Sequence, residues 1–123
     1  MITNNNRLGE KPSESLLVDF FVAIKEDQRI RIGHIGLYAT LVQYWIGHGR
    51  LNPICAPPMQ IMEIAKVSAK STYLRYLREL HDYGYIKYQP SFNPKKHSRI
   101  RLLELPDLIW NELGERYKPG RKL

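Results

Sequence analysis

Lys70, Ser71, Thr72, Arg75 and Arg78 crowd into one short stretch of the chain. On a helical wheel, Ser71, Arg75, Arg78 and Asp82 fall along one side, spaced by four, three and four residues. Tyr73, Leu77 and Leu80 cluster on the other side, flanked by Leu74 and Tyr76. One face therefore packs, and the opposite face offers two guanidiniums, with an ammonium and two hydroxyls at the start of the helix. A guanidinium presents a fork of donors that matches paired acceptors, and the N-terminal end of a helix favours anions. Such acceptors line the edges of nucleic-acid bases and the phosphates that join them. A helix with a merely solvated charged face would show the same pattern, so the surroundings have to decide. Glu79 and Asp82 lie among these cations, where they either tune such contacts or hold the arginines.

A second basic cluster follows closely. The run "YQPSFNPKKHSRIR", starting at Tyr88, holds Lys95, Lys96, His97, Arg99 and Arg101. Ile86 and Tyr88 alternate with Tyr85 and Lys87 before it, and Ile100 and Leu102 alternate with Arg99 and Arg101 after it. That period of two predicts an antiparallel hairpin with cations at its tip. Pro90 and Pro94 stiffen the connection and keep it from pairing as a regular strand. A charged tip also blunts aggregation without binding anything. Beside the basic helix, contact with phosphate is the favoured expectation.

The elements that must position these groups are legible from periodicity and punctuation. A helix starts at Ser13 as N-cap and carries Leu16, Leu17, Phe20, Phe21 and Ile24 at helical spacing. A second starts at Gly33, with a stripe of Ile35, Tyr38, Leu41, Val42 and Trp45, and stops at Gly47 and Gly49. "LNPICA" is a short extended piece, and the prolines after it suit a helix entry. The next helix is short and turns Ile61, Ile64 and Ala65 inward. Two to four residues later the basic helix begins, spanning Ala69–Tyr83 with Ser68 as cap and Gly84 as stop; this is the spacing of a helix-turn-helix unit. After the hairpin, Pro106 opens a last helix with Leu108, Ile109, Leu113 and Tyr117 on its apolar side.

Length and composition bound the rest. The 123 residues suit one domain with one core. Residues 1–12 read as a disordered arm, 13–117 as a single domain and 118–123 as a loose basic tail. Net charge is +7, and the stretch 69–105 alone contributes +5, from eight Lys and Arg against three Asp and Glu. That concentration favours a polyanionic partner. The polar N-terminus lacks the apolar core of a signal peptide and no apolar run is long enough to span a bilayer, which predicts a cytoplasmic protein without membrane contact.

No enzyme chemistry is indicated, since paired carboxylates, a phosphate loop and a nucleotide fingerprint are all missing from the sequence. The four histidines, His34, His48, His81 and His97, have no ligand spacing, so neither a metal nor another cofactor is expected. His81 is expected as a partly packed helix residue and His97 as added charge on the hairpin. Cys55, with no base near it in sequence, is expected as a buried structural thiol.

The order helix, short strand, helix, helix, strand, basic loop, strand resembles winged-helix domains. The run "STYLRYLRELHDYGYI" is similar to their recognition-helix signature: a small polar pair before Tyr73, leucines at Leu77 and Leu80, then Gly84 and a strand start at Ile86. The resemblance covers roughly residues 33–105. The longer string "YGYIKYQPSFNPKKHSRIRL" resembles small winged-helix proteins of bacterial mobile elements, labelled transcriptional regulators or excision accessory factors. Tyr73 departs from the usual β-branched residue, and the loop is longer and richer in proline.

The fold class implied is mainly α with a small antiparallel β-hairpin (α+β), a winged helix-turn-helix core with extra N- and C-terminal helices. The function implied is sequence-specific binding of double-stranded DNA. Lys70, Ser71, Thr72, Arg75 and Arg78 would read bases, and Lys95, Lys96, His97, Arg99 and Arg101 would grip phosphates. Two other readings stay open: a replication-initiation module, and a protein-interaction domain that binds no nucleic acid. The apolar outer helices also suggest a homodimer through Leu16, Phe20, Phe21, Ile24, Ile109 and Trp110, which would set two basic helices about 34 Å apart on successive half-sites.

Overall fold

The computed structural model describes residues 15–93 and 95–104. Ser13, Pro94, Ile109, Trp110, the N-terminal arm, the basic tail and the helix expected after Pro106 lie outside the described residues. Four helices and one two-stranded antiparallel sheet follow in the order α1 (Ser15–Ala23), α2 (Ile32–Gly47), α3 (Pro58–Ala65), α4 (Lys70–Asp82), β1 (Ile86–Gln89) and β2 (Arg99–Leu102). The described part is therefore α+β, mainly helical. None of its helices is long and apolar enough to cross a membrane.

The apolar side of α1 is used at once. Phe20 is fully buried, its ring stacked on Tyr38 of α2 at 4.0 Å between centroids and set edge-on to Tyr85 at 5.3 Å. Burying a ring of this size stabilises by roughly 1.5–3 kcal/mol, and each aromatic pair adds about 1 kcal/mol. Phe20 is thus a core residue and is withdrawn from the dimer face expected of it. Phe21 and Val18 remain exposed, and Leu16 and Ile24 are half-buried.

The chain then turns through a single 3-10 turn, Ile24–Glu26, into a buried polar junction. Asp27 is 5% exposed. Its carboxylate accepts from the Arg29 Nε and Nη2 at 2.7 Å each, from the Arg29 backbone N–H at 3.2 Å, and from the Tyr85 hydroxyl at 2.6 Å. Burial alone would push the Asp27 pKa up, but the hydrogen bonds from Arg29 and Tyr85 together outweigh it and hold it at about 2. The same junction raises the Tyr85 phenol, through burial first and its bond to Asp27 second. It ties the α1–α2 connection to the residue that enters β1.

Helix α2 is the central element. His34, Leu37, Tyr38, Thr40, Leu41 and Val42 are its buried residues, and Ile35 and Trp45 are half-buried. Gly33 lets the Tyr76 ring of α4 come close: a Cβ there would lie 2.3 Å from the ring, so the ring would have to shift. Helix α3 buries Ile61 and Met62, with Ala65 half-buried, but Ile64 is 52% exposed. This corrects the inward placement expected of Ile64; in so short a helix the packed side is set by where α2 and α4 lie, and they cover Met62 instead.

Four residues separate α3 from α4, and Lys66 takes a left-handed conformation (φ 63°) to make the turn. Ala69, not Ser68, is the N-cap of α4, and no side chain caps it. The helix ends as Gly84 adopts φ 94° and the Tyr85 N–H reaches back to the Leu80 carbonyl at 2.9 Å.

The hairpin register pairs Ile86 with Leu102, Lys87 with Arg101, Tyr88 with Ile100 and Gln89 with Arg99. Ile86, Tyr88, Ile100 and Leu102 face the core, and Lys87, Gln89, Arg99 and Arg101 face outward. The other edge of β2 is also occupied. Ile54 and Ile100 exchange backbone hydrogen bonds at 2.7 and 3.0 Å. The Asn52 side-chain amide likewise donates to and accepts from the Leu102 backbone, at 3.0 Å in both directions. The extended piece expected at "LNPICA" therefore pins β2 from its far side.

Candidate nucleic-acid interface

The basic helix forms as its periodicity requires. Tyr73, Leu77 and Leu80 are buried, at 2%, 1% and 0% exposure, and Leu74 and Tyr76 are half-buried. Burial also raises the Tyr73 phenol, so it stays neutral. On the opposite side Lys70, Ser71, Arg75, Arg78 and Asp82 are exposed, and Thr72 is half-buried. The Arg75 guanidinium lies 5.1 Å from the Tyr76 ring centroid, which steadies it without neutralising it. Neither Lys70, Arg75 nor Arg78 forms an ion pair with a described residue.

Glu79 does not hold these arginines. Its Oε1 accepts from Nε2 of His34 at 2.7 Å. The tautomer follows from the other ring nitrogen: Nδ1 accepts the Arg31 backbone N–H at 2.9 Å, so Nε2 is the protonated one. Buried His34 thus fastens the start of α2 to the last turn of α4. With Glu79 turned to His34, the outer face of α4 keeps its positive character.

Helix and hairpin are joined directly. His81, exposed rather than packed, accepts the Tyr88 backbone N–H on Nδ1 at 3.0 Å. The end of α4 therefore sets the start of the hairpin. Lys95, Lys96, His97, Arg99 and Arg101 lie along the hairpin, of which Lys95, Lys96, His97, Arg99 and Arg101 are all exposed. Lys96, His97 and Arg99 line one cleft of about 370 Å³ together with Cys55, Gln89 and Ser91. Cys55 is exposed there, correcting the expected burial: its strand contributes Ile54 and Ala56 to the core, and the residue between them points outward. Arg75 lines a different cleft, of about 400 Å³, with Arg29, Arg31, His34, Glu79 and Tyr83. The two clefts share no lining residue.

Two features escape a reading of the sequence for binding groups. Lys87 stands on the outward face of β1 directly opposite Arg101, a place that the alternation of β1 already implies. Arg31, exposed beside Arg75, sits in a connection without periodicity and gives no local signal. From Tyr83 to Leu103 there is no Asp or Glu, against five Lys and Arg. None of the five pairs with a described acid. No cluster of His, Cys, Asp and Glu suited to a metal ion occurs among the described residues. Comparison with protein-family models, curated proteins and solved structures finds no match to the chain.

Proposed function

We propose that this chain is a winged-helix protein that binds double-stranded DNA sequence-specifically and serves as a transcriptional regulator or mobile-element accessory factor. One observation carries the reading: the exposed face of α4, with Lys70, Ser71, Arg75 and Arg78, leads straight into a hairpin whose five cations have no acid among them and pair with none among the described residues. In this reading α3 and α4 form the helix-turn-helix and α4 enters the major groove. The strand pair and the 90–98 loop form the wing. Arg75 and Arg78 address base edges, and Lys95, Lys96, Arg99 and Arg101 address phosphates.

A protein that takes its affinity from phosphate contacts releases counterions on binding. The test is a titration of the chain against a random duplex pool over a salt series, followed by selection of the retained sequences. Tight binding at low salt that weakens steeply with added salt, together with an enriched motif, is the expected result. An absence of retained duplex at low salt overturns the reading. A palindromic motif indicates that two copies bind together.

A further inference from the structure

Phe92 has no place in the contacts assigned so far, yet it is the most exposed large apolar residue among those described, at 94%. It sits at the tip of the basic loop, with Lys95 and Lys96 on one side and Lys87 on the strand that leads into it. The turn that presents it is built. The Asn93 N–H donates to Ser91 Oγ at 3.2 Å, and Ser91 Oγ in turn donates to the Asn93 carbonyl at 3.2 Å. Asn93 then accepts twice more: its side chain takes the Lys95 N–H and its carbonyl the Lys96 N–H, each at 2.9 Å. These bonds fix the backbone on the C-terminal side of the ring, and its N-terminal side continues from Pro90.

A phenyl ring held in water on a turn of this kind gains nothing for the fold, because it covers no core residue. Its surroundings select what it fits. The cations flanking it are the phosphate contacts of the proposed function, and the π-face of a base, or an opened step between two bases, lies a few ångströms inside a phosphate row. We infer that Phe92 is a DNA-contacting wedge: its ring inserts at a base step in the minor groove beside the segment read by α4, and bends the duplex there. This rests on the proposed DNA binding and adds to it an uncharged contact and a deformation of the DNA.

The neutrality of the ring provides the discriminating measurement. Phe92→Ala removes a stack but no phosphate contact, so binding to the selected duplex falls about tenfold or more while the slope of log affinity against log salt is unchanged. Gel mobility of circularly permuted fragments carrying the site reports a bend with the wild-type chain and a smaller one with Phe92→Ala. Phe92→Trp restores affinity. The emission of the introduced indole, taken as the difference from the wild-type chain, which also carries Trp45 and Trp110, is quenched on adding duplex. Duplex binding that is equally tight in Phe92→Ala, with no quenching in Phe92→Trp, overturns the wedge and leaves the proposed function standing. No duplex binding by the wild-type chain overturns both. A blue shift of the Phe92→Trp difference emission with vesicles of phosphatidylcholine and phosphatidylglycerol, without a response to duplex, assigns the loop to a lipid surface and also overturns the wedge.

Discussion

The junction around Asp27 and the hairpin from Ile86 to Leu102 handle charge in opposite ways. At the junction one carboxylate is buried, and donors from Arg29 and Tyr85 converge on it at 2.6–3.2 Å. On the hairpin five cations are exposed without an acid, and two of them, Lys87 and Arg101, stand directly opposite each other. Charge that the fold consumes is paired and close to saturated. Charge left without a described partner, and even set like against like, costs the fold a little. Substitutions on either side of this contrast can break it.

The largest effect belongs to the junction. Asp27→Ala leaves the Tyr85 hydroxyl buried without its acceptor and the Arg29 guanidinium without its partner. Leaving the buried Tyr85 hydroxyl unsatisfied and the half-exposed Arg29 unpaired costs about 2–3 kcal/mol, which urea denaturation will read as a fall in midpoint. The pH dependence follows from the same bonds. The folded-state pKa of Asp27 is depressed, from 3.8 to about 2, so its contribution is fully present above the unfolded value and is lost as pH falls through the folded one. Between about pH 5 and pH 2 the wild type loses on the order of 2 kcal/mol that Asp27→Asn does not lose. A flat difference between the two chains across that range breaks the assignment of the junction as a saturated ion pair.

What the sequence makes legible divides along similar lines. The hairpin, α2 and α4 follow from periods of two and 3.6 that are local, and their burial repeats those periods. Asp27 and Arg29 pair locally, but the contacts that tie Asp27 and Glu79 into the rest of the fold are long-range. Asp27 meets Tyr85 across 58 residues, and His34 meets Glu79 across 45. No local pattern announces either pair, so Glu79 reads as a neighbour of arginines and Asp27 as nothing in particular. Cys55 and Ile64 depart from expectation for a related reason: in a short extended piece and a short helix, the side that faces inward is chosen by tertiary neighbours, here β2 for one and α2 with α4 for the other. The exposed residues of the candidate interface are legible because they lie opposite a strong apolar stripe. Lys87 follows from the alternation of β1, but Arg31 and Phe92 do not show, because an isolated charge or ring in a connection has no stripe to oppose.

An intermediate effect separates the two basic elements. With the proposed geometry, Arg75→Ala removes a base contact and costs about 1–3 kcal/mol of discrimination between the selected site and a scrambled duplex. Lys95→Ala weakens both duplexes alike and lowers the salt slope by about one. Equal loss on both duplexes for Arg75→Ala would mean that the face of α4 reads no bases and only adds to the phosphate grip. Protein stability should move in neither variant, since both side chains are exposed and outside any ion pair with a described residue.

The smallest effect is also the sharpest, because its two readouts have opposite signs. Lys87 and Arg101 are directly paired across the hairpin, and like charges in that position are destabilising. Lys87→Glu turns the repulsion into an attraction and should raise stability by about 0.5 kcal/mol. If the outward face of the hairpin serves a polyanion, the same change removes one cation and adds one anion, so duplex affinity falls and the salt slope drops by about two. A solvated face without a partner would show the gain in stability and no loss of binding. A side chain that is worse for the fold and better for the partner is the mark of a surface kept for binding, and this substitution measures both terms in one molecule.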